Sequence, residues 1–283
     1  MSFIYMFLSA FLENFLYKKV NSCENRNYQS FMMFLISSII LFISYLIIYD
    51  FNADDFSFFY EWKFYLLSFL ELLVFYLYRE NYHQNSTNYT MINMFVFSTI
   101  YLMPILAFFY NSVFTFNSSL NIRYNSIFEA MAFSFVLFSL TLVYYVDKIK
   151  NKQIKNLPLL LSLLFILLNT MYFSVKIVQT YNGFLVYSFI QIIISINFLL
   201  LSKKESKKID IKRVFLFTIW PFIYFLYFFA ASLVAVEFIT IFKRVSQIVS
   251  AMILDKKVAL KDAILIAMII FITILFYFYK VKT

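Results

Sequence analysis

The sequence predicts an all-α integral membrane protein, with about ten transmembrane helices arranged as two inverted five-helix repeats. Three observations carry that expectation. The chain is 63% hydrophobic and only 14% charged, whereas an ordinary soluble domain is about half apolar and about a quarter charged. Its apolar residues fall into ten runs, most of them close to the roughly 20 residues that a spanning helix needs. Its basic residues gather in every second connector between those runs.

The first run, 3–17, has no basic stretch before it and no small-residue cleavage site after it, so it reads as a span rather than a signal peptide. Four runs follow at 31–49, 62–78, 89–113 and 127–146. A basic connector at 148–157 then leads to five more, at 158–178, 183–201, 214–231, 234–254 and 263–279. Lipid offers backbone groups no water to bond, and the runs are too long for barrel strands, so each is read as a helix. Pro104 and Pro221 fall inside runs and predict kinks. Gly183 is the only glycine, so close helix contacts must rest on Ser and Ala.

Lys18, Lys19 and Arg26 follow the first run, and Arg79 follows the third. Lys148, Lys150, Lys152 and Lys155 follow the fifth. Lys203, Lys204, Lys207, Lys208, Lys212 and Arg213 follow the seventh, and Lys256, Lys257 and Lys261 the ninth. The remaining connectors hold only Lys63 and Arg123, with Asp50, Asp54, Asp55 and Glu61. The positive-inside rule puts the basic loops in the cytoplasm and both termini outside, in a bacterial inner (plasma) membrane. The net charge of +9 is thereby explained by the bilayer and not by nucleic acid. Cys23 is the only cysteine and His83 the only histidine, which argues against a disulfide or a metal site. No phosphate loop, His-Glu-x-x-His or nucleophile elbow is present, so neither an enzyme nor a cofactor is expected.

Residues 1–147 and 158–283 show faint internal similarity. Pro104 laid over Phe242 brings Asn117 onto Asp255, and Leu12-Glu13-Asn14 can be laid over Leu168-Asn169-Thr170. Five helices per half make the second half enter the membrane from the opposite side, which is the inverted repeat of many transporters.

Two stretches carry a resemblance. Phe242-Lys-Arg-Val-Ser-Gln-Ile-Val-Ser-Ala-Met-Ile-Leu-Asp-Lys-Lys-Val258 and the apolar run after it resemble the ninth helix, acidic turn and tenth helix of the drug/metabolite transporter superfamily, in its ten-helix EamA-type branch. Phe3-Ile-Tyr-Met and Ala10-Phe-Leu-Glu13 are similar to the first helix of the four-helix small multidrug resistance relatives, whose membrane carboxylate Glu13 would match. This chain has Leu254-Asp255 where the family usually has Gly-Glu. The resemblance implies a secondary transporter working by alternating access.

Lys243 and Arg244 sit mid-run, where a base costs roughly 2.5–3.5 kcal/mol before pairing. Glu237, Thr240, Lys243, Gln247 and Ser250 share one helical face. That face reads either as a site for an anion or zwitterion, or as one partner of a buried ion pair with Glu13, Glu71 or Glu237. Glu13 and Glu71 are candidate proton-coupling carboxylates, because burial disfavours a charged carboxyl; Glu13 paired to Lys176 is the alternative. Gln191 continues a face with Tyr187 and Ser195, and Trp220 and Tyr224 share a face beside Pro221. With Asn169, these residues make the candidate lining for a small polar solute. The function expected is a secondary active exporter or exchanger of a small polar metabolite, with protons as a candidate coupling ion. An organophosphate or nucleotide-sugar exchanger is the rival within transport, and a membrane-embedded glycan or lipid enzyme the rival outside it.

Overall fold

The computed structural model describes residues 2–21, 25–84, 89–100, 102, 106, 127–151, 154, 156–205, 217–233, 236–255 and 258–282. Cys23, Pro104, Asn117 and the run from Lys207 to Arg213, all weighed above, lie outside them, as do the side chains of Lys176, Glu237 and Thr240. The described residues are all-helical, with no strand among them. We number the α-helices α1 (Ser2–Asn21), α2 (Arg26–Ile48), α3 (Trp62–Gln84), α4 (Tyr89–Phe97), α5 (Ile127–Lys150), α6 (Leu157–Thr180), α7 (Gly183–Leu201), α8 (Ile219–Leu233), α9 (Val236–Leu254) and α10 (Leu260–Lys282). A 3-10 helix, Ala53–Tyr60, joins α2 to α3. Three stretches, Arg26–Ile48, Leu157–Ser174 and Gly183–Leu201, are long and apolar enough to cross a membrane.

Short polar side chains set the helix starts. Asn156 accepts from the Leu159 N–H to begin α6, with Pro158 in the first turn, where its missing N–H costs nothing. Asn182 accepts from the N–H groups of Phe184 and Leu185 to begin α7. Asn52 caps the 3-10 helix through the Asp54 N–H, and the Tyr45 hydroxyl donates to Asp55 at 2.6 Å, fastening that helix to α2.

The radial distribution of polarity is the reverse of a water-soluble protein. Ile39, Ile43, Ile47, Phe128, Phe135, Phe165, Phe271 and Leu275 face outward, while Asn14, Arg79, Asn93, Gln191, Arg244 and Gln247 are buried. Apolar residues suit lipid, and buried polar groups must then find partners within the protein. The broadest helix interface joins α2 to α7. Its small residues are serines: Ser30, Ser37 and Ser38 on α2, and Ser188 and Ser195 on α7, all buried. Ser30, Ser188 and Ser195 satisfy their hydroxyls on carbonyls of their own helices, which lets small polar side chains stand where helices approach closely.

Around this pair, α1 packs on α8 and α9, α3 packs on α6 and α7, α4 packs on α9 and α6, and α2 also meets α8. Helices α5 and α10 pack on each other at the margin, joined by Lys148–Asp262 and Lys261–Asp147 ion pairs.

Candidate functional site

Seven helices meet around a cavity of about 130 Å³. Glu71, Val74, Phe75 and Tyr78 line it from α3, Leu167, Thr170, Met171 and Ser174 from α6, and Trp220, Ile223, Tyr224 and Tyr227 from α8. Each set follows the spacing 0, 3, 4, 7, which is one face of an α-helix. α1 contributes Glu13 and Tyr17, α7 contributes Tyr187 and Ile194, and α9 contributes Lys243 and Arg244, while Phe34 reaches in from α2. The chemistry lies near the helix midpoints and not in the connectors.

The four charged groups of the cavity are not equivalent. Lys243 Nζ lies 3.4 Å from Glu13 Oε2 and over the Tyr227 ring. The same carboxylate oxygen accepts from Gln247 Nε2 at 3.1 Å. Gln247 Oε1 accepts from Arg244 Nη1 at 2.6 Å, so one amide bridges the acid on α1 and the guanidinium on α9. Arg244 also reaches Met171 Sδ at 3.1 Å and faces the Tyr78 hydroxyl, but no carboxylate pairs with it among the described residues. Glu71 accepts from the Tyr187 hydroxyl at 3.2 Å, and that hydroxyl shares a hydrogen bond with Ser174. Glu13 and Lys243 thus pair with each other, whereas Arg244 and Glu71 form no ion pair among the described residues.

An aromatic layer closes one end of the cavity. Tyr17 packs on Phe75, Tyr78, Tyr82 and Trp220, with ring centroids 5.2–5.9 Å apart. Phe34 packs edge-on to Phe75 and Trp220 and is stacked with Phe198. Beyond this layer lie Arg79, buried over Phe198, and the Arg26–Glu80 ion pair at 3.1 Å. Asn14 ties the layer to α9. It donates to the Gln247 carbonyl and Ser250 Oγ and accepts from the Tyr82 hydroxyl, which in turn accepts from Asn93.

Of the residues singled out from sequence, Glu13, Glu71, Trp220, Tyr224, Lys243 and Arg244 line the cavity. Gln247 stands behind it as the bridge between two of them. Gln191 is buried on the face between Tyr187 and Ile194 and lies against Tyr224, with no well-aligned hydrogen bond at either end of its amide. Asn169 donates to the Phe165 carbonyl of its own helix, and its neighbours Thr170 and Met171 take the lining positions. Glu13 pairs with Lys243, one of the two pairings open at the outset for these residues. Sequence reasoning passed over Tyr17, Tyr78 and Tyr82. The signal was present as the 0, 4, 7, 11 recurrence of Glu71, Phe75, Tyr78 and Tyr82, hidden by the abundance of aromatics elsewhere.

Fold and site together define a helical protein with three helices long and apolar enough to cross a membrane and an interior cavity holding ionisable side chains. Comparison with known protein families, curated proteins and solved structures finds no match.

Proposed function

We propose that the protein is a secondary active transporter of a small polar metabolite, acting as an exporter or exchanger by alternating access. The observation that carries this reading is the cavity itself. It sets four ionisable side chains in a mostly apolar lining, lies at mid-helix depth, and is built from both halves of the chain. Intramembrane charges are costly and mark solute or ion paths by default.

The pattern of neighbours supports ten spans in two inverted repeats. Exchanging each helix for the one five places along turns α1–α8 into α6–α3, α1–α9 into α6–α4, and α3–α7 into α8–α2, all observed contacts. It turns the pairs α2–α7, α4–α9 and α5–α10 into themselves. A two-fold relation between halves has this signature, and in a membrane it lets one half rock against the other. The aromatic layer is then the closed gate on the side of the basic loops. This reading accords with the resemblance to the EamA-type drug/metabolite transporters. The organophosphate rival is disfavoured, because Lys243 is engaged by Glu13 and one cation remains where a phosphate clamp needs more.

Proteoliposomes loaded with a mixture of amino acids, organic acids, amines and sugar phosphates provide the test. Mass spectrometry of the external medium should show selective, saturable loss of one solute class, absent from protein-free vesicles and reduced at least tenfold by Arg244→Gln. Equal leakage of all classes with and without the protein would overturn the proposal. Repeating the flux with a pH gradient scores proton coupling. If Glu13 or Glu71 carries the proton, its Gln variant loses gradient-driven accumulation yet keeps solute exchange.

A further inference from the structure

We infer that Arg244, Tyr78 and Trp220 form a carboxylate subsite in the cavity, so that the solute is a small monocarboxylate; that second clause rests on the transport reading above. Three buried donors belong to residues of the cavity lining and have no anionic partner among the described residues. Arg244 is buried, and its described partners are a neutral amide and a thioether. A thioether is a weak acceptor for a guanidinium nitrogen, so Nη2 is available to a better one. The Tyr78 hydroxyl faces Arg244, and the Tyr78 and Trp220 rings both pack on Tyr17. Both polar atoms are buried with no well-aligned hydrogen bond among the described residues. Buried donors are ordinarily satisfied, so a cluster of them in a cavity wall specifies a ligand acceptor.

The chemistry of that acceptor follows from the donor set. A guanidinium presents a planar fork that matches a carboxylate. A phosphate ester carries more charge than this wall offsets, because Lys243 already faces Glu13. Glu71, two turns before Tyr78 on α3, lines the same cavity and offers an acceptor to an ammonium, and no second cation stands free for another anionic group among the described residues. A cavity of about 130 Å³ admits a body of a few carbons and excludes a nucleotide sugar. The class is therefore short monocarboxylates, with or without an amino group.

The full-length protein, purified in detergent, would be titrated calorimetrically and melted with butyrate, valerate, 2-aminobutyrate and 4-aminobutyrate, with butyramide and butylamine as matched controls, and with inorganic phosphate. At least one acid should bind, and its uncharged or cationic counterpart should not. Arg244→Gln should weaken that acid by about tenfold or more, and Arg244→Lys should not restore it. Tyr78→Phe keeps its ring and should weaken it roughly threefold to tenfold with the melting of the unliganded protein unchanged, and Trp220→Phe, which removes the N–H and part of a buried ring, should weaken it by a similar factor alongside a lower melting temperature. No binding by any acid, equal binding of acid and amide, or unchanged acid affinity across Arg244→Gln, Tyr78→Phe and Trp220→Phe would each overturn the subsite. Flux is scored apart. Acid binding without flux overturns transport and leaves the subsite standing, while flux of a solute with which no acid competes overturns the subsite and leaves transport standing.

Discussion

Glu13 illustrates what a single residue can and cannot declare. An acid inside an apolar run announces a partner or a task, but several bases lay within plausible reach. The packing of α1 on α9 selects Lys243. Removing one member of a fully buried pair costs roughly 3–5 kcal/mol. Here the side chains keep 23% and 12% exposure, so Glu13→Gln or Lys243→Met should each cost about 2 kcal/mol. The double variant should recover part of that loss, and denaturant titration in mixed micelles reads the cycle. Asn14 is the second case. As a lone polar residue after Glu13 it attracts little attention, yet it links α1 to α3, α4 and α9. Asn14→Ala removes the acceptor of the Tyr82 hydroxyl and the donor to Ser250 and the Gln247 carbonyl, and should cost roughly 2–3 kcal/mol, measured as a fall in melting temperature. Asn14→Asp, which keeps an acceptor for Tyr82, should lose less.

At the scale of elements, the caps Asn156 and Asn182 are local interactions, each accepting from N–H groups two or three residues on. The start of α4 is not local. Its Thr90 N–H and hydroxyl both donate to Asp255 at 2.6 Å, so a carboxylate from the end of α9 caps a helix far away in sequence. That carboxylate also suits the positive end of the α4 dipole. Asp255→Ala should cost about 1–2 kcal/mol, and amide exchange should quicken first in Tyr89–Phe97. Asp255→Asn should retain most of the protection. The α5–α10 contact offers an internal comparison. Lys261 is 73% exposed in its pair with Asp147, so Lys261→Met should change stability by less than ~0.5 kcal/mol. Lys148 and Asp262 are buried, so Lys148→Met should cost about 3 kcal/mol.

At the scale of the whole molecule, orientation follows from charge and arrangement from packing. The basic connectors predict that Asn151 faces the cytoplasm and the 3-10 helix faces out. In a Cys23→Ser background, an impermeant maleimide should label Tyr60→Cys in intact cells and Asn151→Cys only in opened ones. The reverse pattern would invert the topology. The exchange of helices by five also predicts an experimental structure in which 1–147 superposes on 158–283 about an axis in the membrane plane.

The sequence alone sufficed for helical character, for the lipid-facing surplus of apolar residues and for helix positions close to those observed, because each depends on residues within a turn or two of one another. It also picked out the charged residues that line the cavity, Glu13, Glu71, Lys243 and Arg244, since an ionisable group in an apolar run is conspicuous wherever it lands. Which acid meets which base, that Lys243 and not Arg244 pairs with a carboxylate among the described residues, that Gln247 bridges two helices, and that Tyr17, Phe34, Phe75 and Trp220 form one layer were decided only by tertiary structure. The physical reason is range. These contacts join residues up to 234 positions apart, and only the crossing of the helices brings them together.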